Sequence, residues 1–304
     1  MGHQSSSRPL PEEAPPLSSD PEGPACRLTY VIGGDLTVHR LGFGNMQLTG
    51  PGVWGEPRNR SDALRVLRRA VDLGVNFIDT ADSYGPHVAE ELTAEALYPY
   101  PANLIIATKA GLARTGPGEW HPLGRPEYLR QQCEMSLRRL RLERIDLYQL
   151  HRVDPQVALE DQVGELAALQ REGKIRHIGL SEVTIAQVQA ALRIVAVVSV
   201  QNRYNLIDRA ADPLIDYCQT HAMAFIPWFP LANGQLAVQR SALALIAAQT
   251  KATPAQVTLA WLLGRAPNIL PIPGTSSLEH LEGNMAAARL ELSDEQRREL
   301  EVSV

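Results

Sequence analysis

Eight short apolar runs, separated by longer segments with helical patterning, constrain this chain more than any other feature. They occupy residues 41–44, 76–79, 104–109, 145–150, 175–180, 197–201, 223–227 and 269–273. Several are unbroken apolar stretches, the composition of parallel strands buried on both faces rather than the alternation of a sheet with one wet face. Helical patterns lie between them at 62–74, 127–140, 156–172 and 184–194, with an extra helix at 241–250 ahead of another at 254–263. Ser61 is the expected N-cap of the first helix and Gly74 its C-terminal stop. Repeated strand–helix units predict an α/β fold. Eight of them predict a (β/α)8 TIM barrel, with a doubly wound open sheet as the alternative. The length of 304 residues suits the barrel, which takes about 250 in one domain.

Ahead of the first run, residues 28–32 and 36–38 flank Gly33-Gly34-Asp35. Two β-rich runs around a Gly-Gly turn predict a hairpin, expected to cap the bottom of the barrel. Residues 1–25 carry prolines at 9, 11, 15, 16, 21 and 24 among serines and glutamates. Such a segment cannot offset its ordering entropy by burying apolar surface. It is predicted to be a disordered tail, leaving 26–304 as a single domain.

Apolar residues make up 44% of the chain and charged residues 21%, enough for a large core and too apolar for general disorder. A net charge of −5 and a pI near 5.9 lack the electrostatic footprint of a nucleic-acid binder. The basic stretch Arg138, Arg139, Arg141 and Arg144 is broken by Leu137, Leu140 and Leu142. That spacing reads as the solvated face of an amphipathic helix. Cys26, Cys133 and Cys218, without a CxxC pair, argue against a disulfide framework and for a reducing compartment. No apolar leader is visible, nor any run of about 20 apolar residues. A soluble cytoplasmic protein is expected, away from membranes, with a monomer as the default assembly.

In a TIM barrel the active site is assembled at the C-terminal ends of the strands. The second run ends in Asp79, the third in Lys109, the fourth leads to His151, the fifth to Ser181 and the sixth ends in Gln201. Each has an ordinary reading on its own: Asp79 as a turn cap, Lys109 with its head in water, His151 as a satisfied core histidine. All of them together at one rim are harder to explain so, because a buried charge is costly unless paired. A lysine and an aspartate in a partly dry site would pair, and their field would tune a nearby weak acid. Tyr84, in the loop after Asp79, is such an acid, since an adjacent ammonium favours the ionised form of a phenol. His151 would then orient a carbonyl oxygen. The set suits proton donation to an oxygen that gains negative charge, as carbonyl reduction requires. The His-x-His pair common in metal-dependent barrel hydrolases is absent, so no metal is expected. A Schiff-base role for Lys109 would need a lowered pKa, which Asp79 opposes.

The segment Gly74-Val75-Asn76-Phe77-Ile78-Asp79-Thr80-Ala81-Asp82-Ser83-Tyr84-Gly85 resembles the signature of the aldo-keto reductases. Four more pieces look like that family, in its order: Ile106-Ala107-Thr108-Lys109, Ile145-Asp146-Leu147-Tyr148-Gln149-Leu150-His151, Lys174-Ile175-Arg176-His177-Ile178-Gly179-Leu180-Ser181 and Ile272-Pro273-Gly274-Thr275. The resemblance covers residues 28–300 approximately. It implies a barrel that binds a nicotinamide cofactor without a Rossmann fold, and Gly42-Phe43-Gly44 indeed lacks the third glycine of that fingerprint. It further implies Tyr84 as general acid, tuned by Asp79 and Lys109, with His151 orienting the carbonyl. Ser181 and Gln201 would hold the nicotinamide carboxamide. Trp228 would stack on the ring, or else merely anchor its loop. The loop from Leu231 to Leu236 would pass over the pyrophosphate. Gly274, Thr275, Ser276 and His280, at the opening of a helix whose positive end favours anions, would face the adenosine 2′-phosphate, with Asn284 near the adenine. NADPH is the implied cofactor.

Three features depart from the family pattern. No Lys or Arg lies at 274–280 to pair with a 2′-phosphate, which keeps NADH in competition. Glu182 stands where asparagine commonly follows the serine; it either accepts from the carboxamide or turns away. Gly283 stands where an acidic residue often reads the adenine. The loop Gly50-Pro51-Gly52-Val53-Trp54-Gly55 resembles that of the branch containing bacterial pyridoxal reductases. In it, Trp54 either walls a flat small-molecule carbonyl substrate or packs the loop on the barrel. The alternative function is an NADP(H)-binding sensor with little turnover.

Overall fold

The computed structural model describes residues 28–232 and 242–302; the tail expected at 1–25, Cys26, positions 233–236 of the loop expected over the pyrophosphate and Ser241 lie outside the described residues. The chain opens with β1 (Thr29–Ile32) and β2 (Leu36–His39), the antiparallel hairpin expected around Gly33-Gly34. It continues through β3 (Phe43–Gly44), α1 (Arg60–Asp72), β4 (Phe77–Asp79), α2 (Val88–Leu97) and β5 (Ile105–Ala110). A small hairpin of β6 (Leu112–Ala113) and β7 (His121–Pro122) precedes α3 (Pro126–Leu140) and β8 (Ile145–Leu150). Then come α4 (Leu159–Arg171), β9 (Ile175–Ser181), α5 (Ile185–Leu192), β10 (Val197–Gln201), α6 (Asp212–Thr220) and β11 (Ala224–Phe225). The last helices are α7 (Ala242–Thr250), α8 (Pro254–Arg265), α9 (Leu278–Ala286) and α10 (Asp294–Val302).

Seven strands pair in parallel in the order β3-β4-β5-β8-β9-β10-β11. The eighth place is taken by residues 268–271, which join both edges and close the ring. Phe225 N–H donates to Asn268 O at 2.8 Å and Leu270 N–H to Phe225 O at 2.8 Å, while Gly42 N–H donates to Pro271 O at 2.9 Å. Pro271 and Pro273 lack an N–H, so this segment cannot sustain a regular ladder. The result is a (β/α)8 barrel whose eighth strand is held by isolated bonds rather than a ladder.

The hairpin plugs the bottom. Ile32, Leu36 and Val38 are buried against Phe77, Leu147 and Ile226, which point into the barrel from its strands. Asp35, at the hairpin tip, accepts from Arg176 Nη2 at 2.7 Å and pairs with His177 Nε2 at 2.6 Å. Gly33 adopts φ +62°, and a Cβ there would sit 2.4 Å from the His177 ring, so both backbone and space demand glycine.

Arg40 clips the closing segment. It is 6% exposed, and its guanidinium donates to the carbonyls of Leu263 (2.8 Å), Ala266 (2.6 Å) and Ile269 (3.2 Å). Burial lowers its pKa to about 10, so it stays charged at neutral pH. Arg40→Ala would strand those carbonyls at the barrel seam. A loss of about 3 kcal/mol is expected, read as a lower urea midpoint; an unchanged midpoint would contradict this role.

Two sequence expectations need correction. The N-cap of α1 is Asn59, whose side chain accepts from Asp62 N–H, so Ser61 sits within the first turn. Asparagine caps as well as serine does, and the helix starts two residues before the predicted 62. Nor is the basic stretch of α3 uniformly solvated. Arg139 reaches inward to the fully buried Glu90, with Nε 2.6 Å from Oε2, while Arg138, Arg141 and Arg144 stay exposed.

Candidate active site

β4 and β5 lie side by side, with Asp79 in register with Ala107. Each strand therefore delivers its terminal charge to the same end of the barrel. Lys109 Nζ donates to Asp79 Oδ2 at 2.6 Å, to Thr80 O at 2.8 Å and to Tyr84 Oη at 3.3 Å. Lys109 is 0% exposed and Asp79 1%. Two glutamines from other strands complete the carboxylate: Gln149 Nε2 donates to Asp79 Oδ1 at 3.2 Å and Gln201 Nε2 at 2.9 Å. Burial pulls the Lys109 ammonium down, but Asp79 and Tyr84 outweigh it and leave its pKa above the usual lysine value.

Tyr84 itself departs from the sequence expectation. Burial pushes the phenol above its ordinary pKa, and Lys109 opposes that shift without reversing it. The hydroxyl is therefore a protonated donor at neutral pH.

His151 follows β8 and faces Tyr84 edge-on, with ring centroids 5.7 Å apart. Burial, reinforced by Lys109, Arg152 and Arg114, holds its pKa well below the usual histidine value, so the imidazole is neutral. Its Nδ1 lies 3.2 Å from Ser83 Oγ. If the hydroxyl donates there, the proton of the neutral ring sits on Nε2.

A cavity of about 560 Å³ opens over these groups, lined by Asp79, Tyr84, His151, Ser181, Gln201, Trp228, Leu231 and Gly274. The donors on one flank suit a nicotinamide carboxamide. Gln201 uses its amide nitrogen on Asp79, which leaves its carbonyl oxygen to accept. Ser181 Oγ accepts from Arg152 Nη1 at 3.1 Å, which leaves its own proton to donate. Glu182 is engaged on the side of Trp228: its Oε1 accepts from Trp228 Nε1 at 2.5 Å and from Arg203 N at 2.7 Å, which braces the Trp228 indole and favours the second alternative.

Gly274 approaches the opposite rim closely; a Cβ there would lie 2.5 Å from Gly44 O. Beyond it, Ser277 caps α9 by accepting from His280 N–H, and Thr275 Oγ1 accepts from Ser277 N–H. Thr275 and Asn284 are buried, whereas Ser276 and His280 are exposed. Thr275 and Ser276 lie ahead of α9, His280 and Asn284 on it, and none of the four lines the cavity itself.

Trp54 does not line it either. Its ring lies 5.7 Å from the Arg114 guanidinium, and its backbone bridges to Gly85, so it packs the loop. The aromatic wall is Trp120, with centroids 6.4 Å from both Tyr84 and His151. Sequence reasoning missed it; the only local signal was a tryptophan in the irregular stretch after β5. Arg114 stacks on Trp120 at 3.5 Å and donates to the carbonyls of Gly52, Val53, Ser83, Gly116 and Glu119, tying three loops into one wall. Among the described residues no group of three His, Cys, Asp or Glu is placed to hold a metal ion. No described helix is long and apolar enough to cross a membrane.

Comparison with known proteins gives the family. The chain is 52% identical over 262 residues to an uncharacterized oxidoreductase of Schizosaccharomyces pombe, covering 86% of this chain and 85% of that one. It is 47% identical over 273 residues to pyridoxine 4-dehydrogenase of Escherichia coli, covering 88% and 95%. The crystal structure of a Klebsiella pneumoniae aldo-keto reductase in complex with NADPH superposes with a TM-score of 0.79 at 29% identity, covering 90% and 94%. Residues 40–303 match the aldo/keto reductase family, and with the barrel and the strand-end residues described above, the chain belongs to that family of oxidoreductases.

Proposed function

We propose that the protein reduces the carbonyl of small aldehydes and ketones with NADPH, pyridoxal-like aromatic aldehydes among them. The observation that carries this reading is a buried, protonated Tyr84 hydroxyl, 3.3 Å from Lys109 Nζ and beside a neutral His151, at one cavity. When bound, the nicotinamide supplies the hydride. The protein supplies the rest. Tyr84 Oη donates a proton to the carbonyl oxygen as negative charge develops there. Lys109, compensated by Asp79, stabilises the phenolate that remains. His151 Nε2–H orients the same oxygen. Trp228, braced by Glu182, offers a flat face for the nicotinamide, with Ser181 and Gln201 at its carboxamide. Leu231 and Gly274 frame the way to the phosphates, and Thr275, Ser276, His280 and Asn284 take the adenosine end. The NADPH complex of the Klebsiella relative and the activity named for the E. coli relative support cofactor and substrate class.

The test is NADPH and NADH oxidation against a carbonyl panel that includes pyridoxal. Turnover with NADPH in preference to NADH is expected; inertness toward every carbonyl would favour a binding role instead. The same assay reads the acid. A phenol raised above about 10 stays protonated well past neutrality, and His151, depressed, stays neutral there. The reductive kcat/KM is expected to be flat from about pH 6 to about pH 9 and to fall only beyond that. A decline between pH 7 and pH 8 would assign the proton to another group.

A further inference from the structure

Arg152 is the only Lys or Arg among the described residues that line the cavity. Immediately after His151, its Nη1 donates to His151 O at 2.6 Å and to Ser181 Oγ at 3.1 Å. Among the described residues no carboxylate forms an ion pair with it and only its Nη1 donates hydrogen bonds; the guanidinium otherwise lies 5.9 Å from the Trp228 ring, a contact that leaves its in-plane donors unmatched. Glu182 lies near enough to be felt, but its Oε1 is engaged by Trp228 and the Arg203 amide. The other charges of the site are already matched, Lys109 by Asp79, and His151 is neutral. A half-buried guanidinium with free donors is costly unless an anion meets it. The phosphates of the cofactor are poorly placed to do so. Arg152 stands at the β8–β9 side of the ring, whereas Gly274 and α9 stand by β3, nearly opposite.

We propose that Arg152 is a specificity residue that selects carbonyl substrates bearing an anionic oxygen beside the carbonyl, such as a phenolate ortho to an aromatic aldehyde. This rests on the reductase reading above. The carbonyl oxygen lies between Tyr84 and His151, and the residue next to His151 meets the neighbouring oxygen. A guanidinium presents its donors in a plane and pairs with such an oxyanion by charge-assisted bonds. An aldehyde without that oxygen leaves the guanidinium unmatched, so the preference arises from a penalty as much as from an attraction.

A matched pair isolates the effect: 3-hydroxypyridine-4-carbaldehyde, whose ring hydroxyl is ionised near neutral pH, and pyridine-4-carbaldehyde, which lacks that oxygen. In the full-length protein with NADPH, the hydroxylated aldehyde is expected to have the higher kcat/KM, by about tenfold or more. In Arg152→Met that ratio should fall to near one, the loss resting mainly in KM, and Arg152→Lys should recover part of it. An equal ratio in wild type and Arg152→Met, with both aldehydes still reduced, would overturn the role of Arg152 and leave the reductase reading intact. A uniform loss on both aldehydes with weaker NADPH binding would place Arg152 on the cofactor and overturn it too. Reduction of neither aldehyde by wild type would overturn the reductase reading and this proposal with it.

Discussion

Replacing Tyr84 with phenylalanine is expected to lower kcat by about a thousandfold or more while NADPH still binds, because a positioned general acid contributes about 10² to 10⁴ in rate. The hydroxyl accepts one hydrogen bond, from Lys109, and the ring stays wedged between Trp120 and His151. The variant should therefore fold as wild type does and lose only the proton donor. Circular dichroism and a cofactor titration would establish the first point, steady-state kinetics the second. Turnover within a few-fold of wild type would assign proton donation elsewhere, with His151 next in line at 5.7 Å between ring centroids.

Lys109→Met is expected to damage both activity and stability. It leaves Asp79, 1% exposed, with only Gln149 and Gln201 as donors. Breaking a buried pair from one side costs about 3–5 kcal/mol, a large share of a typical domain's stability. Adding Asp79→Asn removes the stranded charge, so the double variant should regain much of the melting temperature. Its activity should not return, since no ammonium faces the phenolate. A double variant that recovers turnover would show that the pair serves the fold alone. A single variant as stable as wild type would mean that water or a neighbour readily reaches Asp79.

The candidate site divides by how local its signals are. Asp79, Lys109, His151, Ser181 and Gln201 were legible because each stands at or just after the end of an apolar run. Strand order alone carries such residues to one rim in a parallel barrel. Trp120, Arg114 and Arg152 come from loops or from the residue beyond a strand, where no period announces a role. Helix α2 was hidden for a related reason. Its buried face includes Glu90 and Thr93 alongside Val88, Leu92 and Leu97, so polar residues interrupt the apolar pattern. Glu90 is satisfied only by distant partners, Arg139 and Thr108, and Thr93 accepts from the distant Asn45 while donating to Ala89 O one turn back.

By itself, then, the sequence determined the succession of strands, several of the helices between them, the hairpin at the barrel bottom and the identity of the polar groups at the strand ends. These follow from covalent order and from apolar spacing along a few residues. Only the tertiary structure decided the direction of the Tyr84 pKa, the turn of Glu182 toward Trp228, and the exchange of Trp54 for Trp120 as the aromatic wall. Each depends on how deeply a group is buried, or on which side chain reaches it from elsewhere in the ring. Closing the barrel sets both quantities, and neither is written in any local stretch of the chain.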